Sequence, residues 1–400
     1  MLHTQLVATV TAIALAFAAL LGSIYVLFFA IRGEWAKSAN NKEFKSGEVR
    51  TRFLVLVPAH DEEEGIRSTL FSLRCLDYPN DRWRVVVIAD NCTDNTAAVV
   101  REEGFECWER RQPERRGKGH ALRWAIDQAC ELVFDAVVVI DADSVVEPSF
   151  LFALDHELNR GAIVVQAREE FEFGDNSSFS LLTVASKKAE GRLVWRPRQE
   201  MGLAIFLQGN GFCARREVLS EVSWTAYSVV EDLEYSLELL LHGIPIRYTE
   251  SACIVTRLVR TAADVFPQRL RWASGTLGIT IKYLPRLIAS ALKKRSFYLA
   301  EAGVALVLSS RPLLVYVSLV ALVFSFAGLQ GSPAVVVRSV IAVALAAQFA
   351  YAICVLRTVP NPQGALRAVL QLPAYICWHV IVQMLAALGV GRREWSRTVR

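Results

Sequence analysis

This chain has almost no net charge. Its 44 Lys and Arg offset 40 Asp and Glu, leaving +4, too little to imply a nucleic-acid partner. Its eight cysteines form no Cys-x-x-Cys pair and no Cys/His cluster at zinc spacing. They read as reduced thiols, which argues against a disulfide or zinc framework. His60 has no second histidine at ligand spacing, so it does not read as a metal ligand. The first strand-like run ends in Val57-Pro58-Ala59-His60-Asp61 with no Gly-x-Gly-x-x-Gly, which argues against a dinucleotide-binding fold. The sequence shows no internal repeat and no low-complexity tract.

Apolar residues are in excess. They make up 53% of the chain, and the mean hydropathy is +0.31, too apolar for an ordinary soluble domain. Residues 6–31 contain no charge. At about 1.5 Å per residue they are long enough to cross a ~30 Å hydrocarbon core. Only His3 precedes this run, and it ends in bulky Phe28, Phe29 and Ile31, so an uncleaved anchor fits better than a signal peptide. Arg32, Lys37, Lys42, Lys45, Arg50 and Arg52 follow. Positive charge marks the cytoplasmic side, so the next domain is expected in the cytoplasm at the cell (inner or plasma) membrane, with the N-terminus outside.

The expected organisation has five parts. They are an N-terminal anchor (1–32), a charged linker (33–51), a mixed-polarity domain (52–261), an amphipathic interface segment (262–298) and an apolar C-terminal region (299–400). The domain alternates strand signals (53–57, 84–89, 105–109, 136–140, 162–166) with helix signals (62–76, 93–103, 120–132, 149–159). That alternation predicts an α/β fold with a parallel sheet. Asp61, Asp90, Asp141 and Asp143 all fall just past the carboxyl end of a predicted strand, where open α/β sheets bind ligands.

Three further spans are expected at about 301–327, 334–356 and 369–390. Arg311-Pro312 interrupts the first and Pro373 the last. One span before the domain and three after it would put the C-terminus outside. Arg392, Arg393, Arg397 and Arg400 favour the inside. Either one segment is re-entrant or interfacial, or the charge rule fails here.

Residues 137–144 read Val-Val-Val-Ile-Asp-Ala-Asp-Ser, a buried-strand signature ending in two acids. Carboxylates this close repel unless a cation lies between them, and hard oxygen ligands suit Mg²⁺ or Mn²⁺. The same pair also suits a simple strand-to-turn junction. Glu231-Asp232 precede a stripe of Leu233, Leu237, Leu240 and Leu241, which places them at a helix N-terminus. There they either complement the helix dipole or serve as a general base. Gln268-Arg269-Leu270-Arg271-Trp272 combines phosphate-binding and stacking side chains, yet also suits a membrane-surface helix. Gly209-Asn210-Gly211 permits either close ligand approach or a tight hairpin. Residues 110–119, with Arg115, Arg116 and Lys118 around Gly117 and Gly119, form a basic loop open to phosphate contact or to solvent.

The ordered set Val57-Pro58-Ala59-His60-Asp61-Glu62-Glu63, Asp90, Asp141-Ala142-Asp143, Gly209-Asn210-Gly211, Glu231-Asp232 and Gln268-x-x-Arg271-Trp272 resembles family 2 glycosyltransferases. The likeness is to membrane-embedded members, the polysaccharide synthases of the cellulose, hyaluronan and poly-N-acetylglucosamine type and related glycolipid synthases. It covers roughly residues 52–275. It implies a GT-A fold with flanking transmembrane helices, a nucleotide-sugar donor, usually UDP-linked, and inversion at the anomeric carbon. By the resemblance, Ala59, Asp61 and Asp90 line the nucleoside pocket and Lys118 approaches the donor phosphates. Asp141 and Asp143 hold a metal-bound diphosphate, and Asp232, paired with Glu231, is the base. Gln268, Arg271 and Trp272 sit by the diphosphate and acceptor, which Gly209, Asn210 and Gly211 border.

The chain departs from the large polysaccharide synthases in having fewer spans, which leaves room for a partner export subunit. The acceptor is thus expected to be a growing β-linked glycan or a membrane lipid. A transporter with a nucleotide-sensing domain is a second class, motivated by the intramembrane Arg311 and Arg338. A metal-dependent phosphohydrolase is a third.

Overall fold

The computed structural model describes residues 2–35, 49–173, 177–258, 262–308, 311–359 and 362–390. Most of the expected linker, and the four arginines of the tail, lie outside the described residues. The chain opens with helix α1 (Leu2–Trp35). Its central domain is built on one eight-stranded sheet. The strands are β1 (Phe53–Ala59), β2 (Trp83–Asp90), β3 (Glu106–Arg110), β4 (Ala136–Val139), β5 (Ser144–Val146), β6 (Val164–Phe173), β7 (Phe212–Arg215) and β8 (Arg247–Leu258). Their spatial order is β3-β2-β1-β4-β7-β6-β8-β5.

Helices α2 (Ile66–Arg74), α3 (Thr96–Glu102), α4 (Lys118–Gln128) and α5 (Phe150–Asn159) cover the sheet. Successive strand residues point to opposite faces, and the core divides accordingly. Leu54, Leu56, Val86 and Ile88 pack with Ala121, Leu122 and Ala125 of α4. Phe53, Val55, Val57, Val85 and Val87 pack with α2, α3 and α5 through Ile66, Leu70, Val100 and Leu154.

The sheet is mixed, which corrects the parallel sheet expected from the sequence. β1 pairs in parallel with β2 and β4, and β2 with β3. β7, however, is antiparallel to both β4 and β6. Four residues long, with Phe212, Cys213 and Ala214 buried, it runs between them in the opposite direction after the chain has passed through the helices Ser178–Glu190 and Arg196–Glu200. Strands β5, β7 and β8 are not among the strands expected from the sequence; β5 and β7 are only three and four residues long.

After β6 come α6 (Ser178–Glu190), α7 (Arg196–Glu200), α8 (Arg216–Glu221) and α9 (Glu231–Leu241). Beyond β8 lie α10 (Ala262–Lys294), α11 (Phe297–Val307), α12 (Arg311–Gly328), α13 (Gly331–Leu356) and α14 (Pro362–Ala387). Among the described residues, four helices are long and apolar enough to cross a membrane: Thr4–Trp35, Arg311–Gly328, Gly331–Leu356 and Gln363–Ala387. The expected span at 301–327 is corrected. Its first part is α11, whose Leu299, Ala302 and Leu306 belong to the same core cluster as the sheet domain. The span starts at Arg311, where Pro312 suits a first helical turn because its missing N–H needs no partner there.

Helices α1, α12 and α13 pack as a bundle on small residues, Ala12, Ala16, Ala321 and Ala334 among them. α14 behaves differently. Just before it, Thr358 Oγ1 donates to the Ala185 carbonyl of α6 at 3.0 Å. Just after it, Ser274 Oγ of α10 donates to the Val390 carbonyl at 2.7 Å. Between these points Phe179 of α6 packs on Tyr375 and Trp378 at 5.6 and 5.2 Å. Both ends of α14 are therefore pinned to helices that pack on the sheet domain.

Candidate active site

β4 delivers its last buried residues to the sheet edge, and Asp141, Ala142 and Asp143 follow at once. Lys118 is the first residue of α4, not part of a loop as the sequence suggested, and Gly117 turns the chain into it with φ +118°, a conformation open mainly to glycine. Lys118 Nζ donates to the Asp141 carboxylate and to the Gly209 carbonyl, and lies 3.8 Å from Glu231 Oε1. Burial pushes its ammonium pKa down, but Asp141 and Glu231 outweigh that and hold it above the usual range. Lysine here is thus a fixed positive charge.

Glu231 and Asp232 open α9. Burial raises both carboxyls above the ordinary range, and the charge on Glu231 adds to it at Asp232. Asp232 is brought to about 7. Gly209 has φ +80°, and a Cβ added there would stand 3.2 Å from Asp232 Oδ2. Its bare backbone keeps the approach to that carboxylate open.

Asn210 is 1% exposed and works from behind the site. Its Oδ1 accepts from the Asp141 amide at 3.0 Å. Its Nδ2 donates to Ser144 Oγ at 2.8 Å, Thr256 Oγ1 at 2.9 Å and Glu169 Oε1 at 3.3 Å. Ser144 Oγ in turn donates to Asp143 Oδ1 at 3.1 Å. Gly211, next to it, leaves room for Ile254, which a Cβ would meet at 2.8 Å.

Gln268, Arg271 and Trp272 come from α10. Burial holds the Arg271 guanidinium below its usual pKa, with Glu231 opposing. Among the described residues, Gln268 Oε1 is buried with no hydrogen-bond partner. Asp90 is 4% exposed and ion-paired with buried Arg110. Burial nonetheless raises its carboxyl.

One cavity of about 1060 Å³ joins these groups. Its wall includes Ala59, Asp90, Lys118, Asp141, Asp143, Gly209, Glu231, Asp232, Gln268, Arg271 and Trp272. Asp61, Asn210 and Gly211 are not on that wall. The Asp61 carboxylate instead accepts from the Thr93 and Asp94 amides at 2.6 and 3.3 Å, shaping the loop after β2. Asp141 and Asp143 offer hard carboxylate oxygens to the cavity, a donor set that fits Mg²⁺ or Mn²⁺. The wall also holds a pair the sequence gave no reason to single out. Lys187 Nζ lies 2.6 Å from Glu169 Oε2 and donates to Gln208 Oε1 at 2.8 Å. Glu169 lies beyond the strand expected at 162–166 and Lys187 in a stretch with no expected element, and the fold brings them together on the wall.

Comparison with known proteins agrees with this geometry. The family model described as "Glycosyltransferase like family 2" matches residues 51–275. The chain is 28% identical over 256 residues to the probable glycosyltransferase YdaM of Bacillus subtilis (strain 168), covering 61% of this chain and 59% of that protein. It is 26% identical over 264 residues to the poly-β-1,6-N-acetyl-D-glucosamine synthase of Staphylococcus aureus (strain COL), covering 64% and 61%. It therefore spans about three fifths of the length of these relatives. The mannosyltransferase PcManGT of Pyrobaculum calidifontis, solved with GDP-Man and Mn²⁺, superposes with a TM-score of 0.58 at 19% identity, covering 94% of this chain and 99% of that one. That likeness is one of fold, the GT-A glycosyltransferase fold. The match over more than half of its length and the shared fold make this chain a member of glycosyltransferase family 2, and so a glycosyltransferase.

Proposed function

We infer that the chain transfers a sugar from a nucleotide-sugar donor, UDP-linked, to an acceptor hydroxyl at the cytoplasmic face of the membrane, with inversion. The acceptor is a growing β-linked polysaccharide or a lipid. The observation that carries this reading is the shared cavity, which holds the acid pair Asp141 and Asp143 together with the buried acid Asp232. Asp232, with a pKa of about 7, is suited to take the proton from the attacking hydroxyl near neutral pH. Glu231 faces Lys118 and supports that role by its charge. A single in-line attack at the anomeric carbon needs one base and no enzyme nucleophile, which favours inversion.

Asp141 and Asp143 would hold the divalent ion, which when bound supplies positive charge to the leaving diphosphate. Lys118 and Arg271 line the same wall and add fixed cationic charge where the diphosphate develops its own. Ala59 and Asp90 would border the nucleoside, and Gly209 and Trp272 the acceptor. Asn210 would act by fixing the Asp141 backbone.

The placement of α14 supports a specific topology. With both its ends at the domain side, α1, α12 and α13 are the crossing helices, and the C-terminus returns to the cytoplasm. That arrangement satisfies the positive tail. Incubating membranes with a panel of labelled nucleotide sugars tests the whole reading. Sugar transfer that stops in chelator is expected. Donor binding with no transfer to any acceptor, or release of free phosphate alone, would overturn it.

A further inference from the structure

The cavity does not end at the catalytic acids. It continues between α12, α13 and α14, and its far wall carries Leu313, Leu314, Val355, Leu372 and Ile376. These are aliphatic side chains. Polar Arg311, Gln348, His379 and Gln383 share the wall with them, so the reach of the cavity, more than its lining, decides what can lie in it.

The depth of the cavity is also informative. On α13 its wall runs from Gln348 to Leu356, about 12 Å of helix rise. One leaflet of hydrocarbon is about 15 Å, half of a ~30 Å core. The cavity therefore reaches through one leaflet and stops. Its floor is closed by Gln348, whose Nε2 donates to Ser23 Oγ of α1 and Ser318 Oγ of α12, both at 2.9 Å. Beyond that point the three helices pack tightly. A Cβ on Gly328 would meet Thr9 N at 2.7 Å, and Ala12, Ala16, Ala321 and Ile341 form one buried cluster. A polymer conduit would have to cross the whole core, and this half is filled.

At the other end the same cavity reaches Asp232 and the unpartnered Gln268 Oε1, an acceptor atom suited to a hydroxyl donor. We propose that the cavity is a single-leaflet lipid slot covered by α14, and that the acceptor is one membrane lipid whose head carries a free hydroxyl. This rests on the glycosyl-transfer reading. The hydrocarbon chain lies along α12 and α13, and the head hydroxyl meets Asp232. That hydroxyl loses its proton to Asp232 as its oxygen bonds to the anomeric carbon, and the nucleoside diphosphate leaves with the electron pair of the broken bond.

The test uses the full chain in vesicles of phosphatidylcholine doped with diacylglycerol, doped with phosphatidylglycerol, or made from total lipid of the host membrane. A panel of labelled nucleotide sugars is added. The expected product is organic-extractable and one sugar heavier than a lipid of the vesicle, and the first two arms distinguish a neutral from an anionic hydroxylated head. Ala352→Trp fills the slot and is expected to cut lipid product at least tenfold while nucleotide binding, read by calorimetry, is retained. Val343→Trp, on the exposed face of α13, is expected to leave product within twofold. A water-soluble product that lengthens with time, or equal behaviour of the two variants, overturns the slot. No consumption of any donor overturns instead the glycosyl-transfer reading beneath it.

Discussion

Asn210 Oδ1 accepts a hydrogen bond from the backbone amide of Asp141 at 3.0 Å, 69 residues away in sequence. The buried Asn210 side chain thereby sets where Asp141 stands, and through Ser144 it reaches Asp143. Asn210→Ala would strip the partner from the Asp141 amide, worth about 1–3 kcal/mol when left unmade, and remove one of several partners from Ser144 and Thr256. Thermal unfolding in detergent should show that loss. Titration of Mn²⁺ should show weaker binding in the folded variant.

Asp232→Asn removes the proposed base and keeps the size of the side chain. Transfer should fall by roughly 10²–10⁴-fold in kcat, with donor affinity within a few-fold. Pre-steady-state transfer and equilibrium donor binding, measured on the same preparation, separate the two. Wild-type turnover would remove the assignment.

The pH profile follows from the same group. Asp232 must be ionised to accept a proton, and burial together with Glu231 raises its pKa to about 7. Transfer should rise about tenfold per pH unit below 7 and level off above it. Were Asp232 an ordinary exposed carboxylate, the rate would be flat from pH 5 upward, so kcat/KM against pH is the check.

Divalent metal should be required. Removing it with chelator is expected to abolish transfer, and adding back Mg²⁺ or Mn²⁺ to restore it. Full activity in chelator would remove the metal-holding role of Asp141 and Asp143.

Arg198 and Glu301 make a two-point ion pair, with both contacts at 2.8 Å. Tyr25 of α1 joins them through its hydroxyl, 2.6 Å from Arg198 Nη1. The pair is almost fully buried and ties α1 and α11 to the domain. Arg198→Met should cost about 3–5 kcal/mol by leaving the Glu301 charge uncompensated. Arg198→Met with Glu301→Leu should recover most of that, as read by unfolding temperature.

The sequence alone carried the chemistry that depends on short spacing. Asp141 and Asp143 are two residues apart at the end of a β-branched run, Glu231 and Asp232 sit just before a leucine stripe, and residues 6–31 form an uninterrupted apolar run. Strand ends, helix starts and spans are set by neighbouring residues, so they can be read in one dimension. Tertiary structure decided what long-range packing controls. It inserted β7 antiparallel between β4 and β6, turned Asn210 from a residue expected to border the acceptor into a buried scaffold for Asp141, and brought Lys187 and Glu169 to the wall. It also laid α14 along the domain. Hydropathy reports that α14 is apolar but not which way it lies, because that direction is set by the contacts of Thr358 with Ala185 and of Val390 with Ser274, 173 and 116 positions apart along the chain.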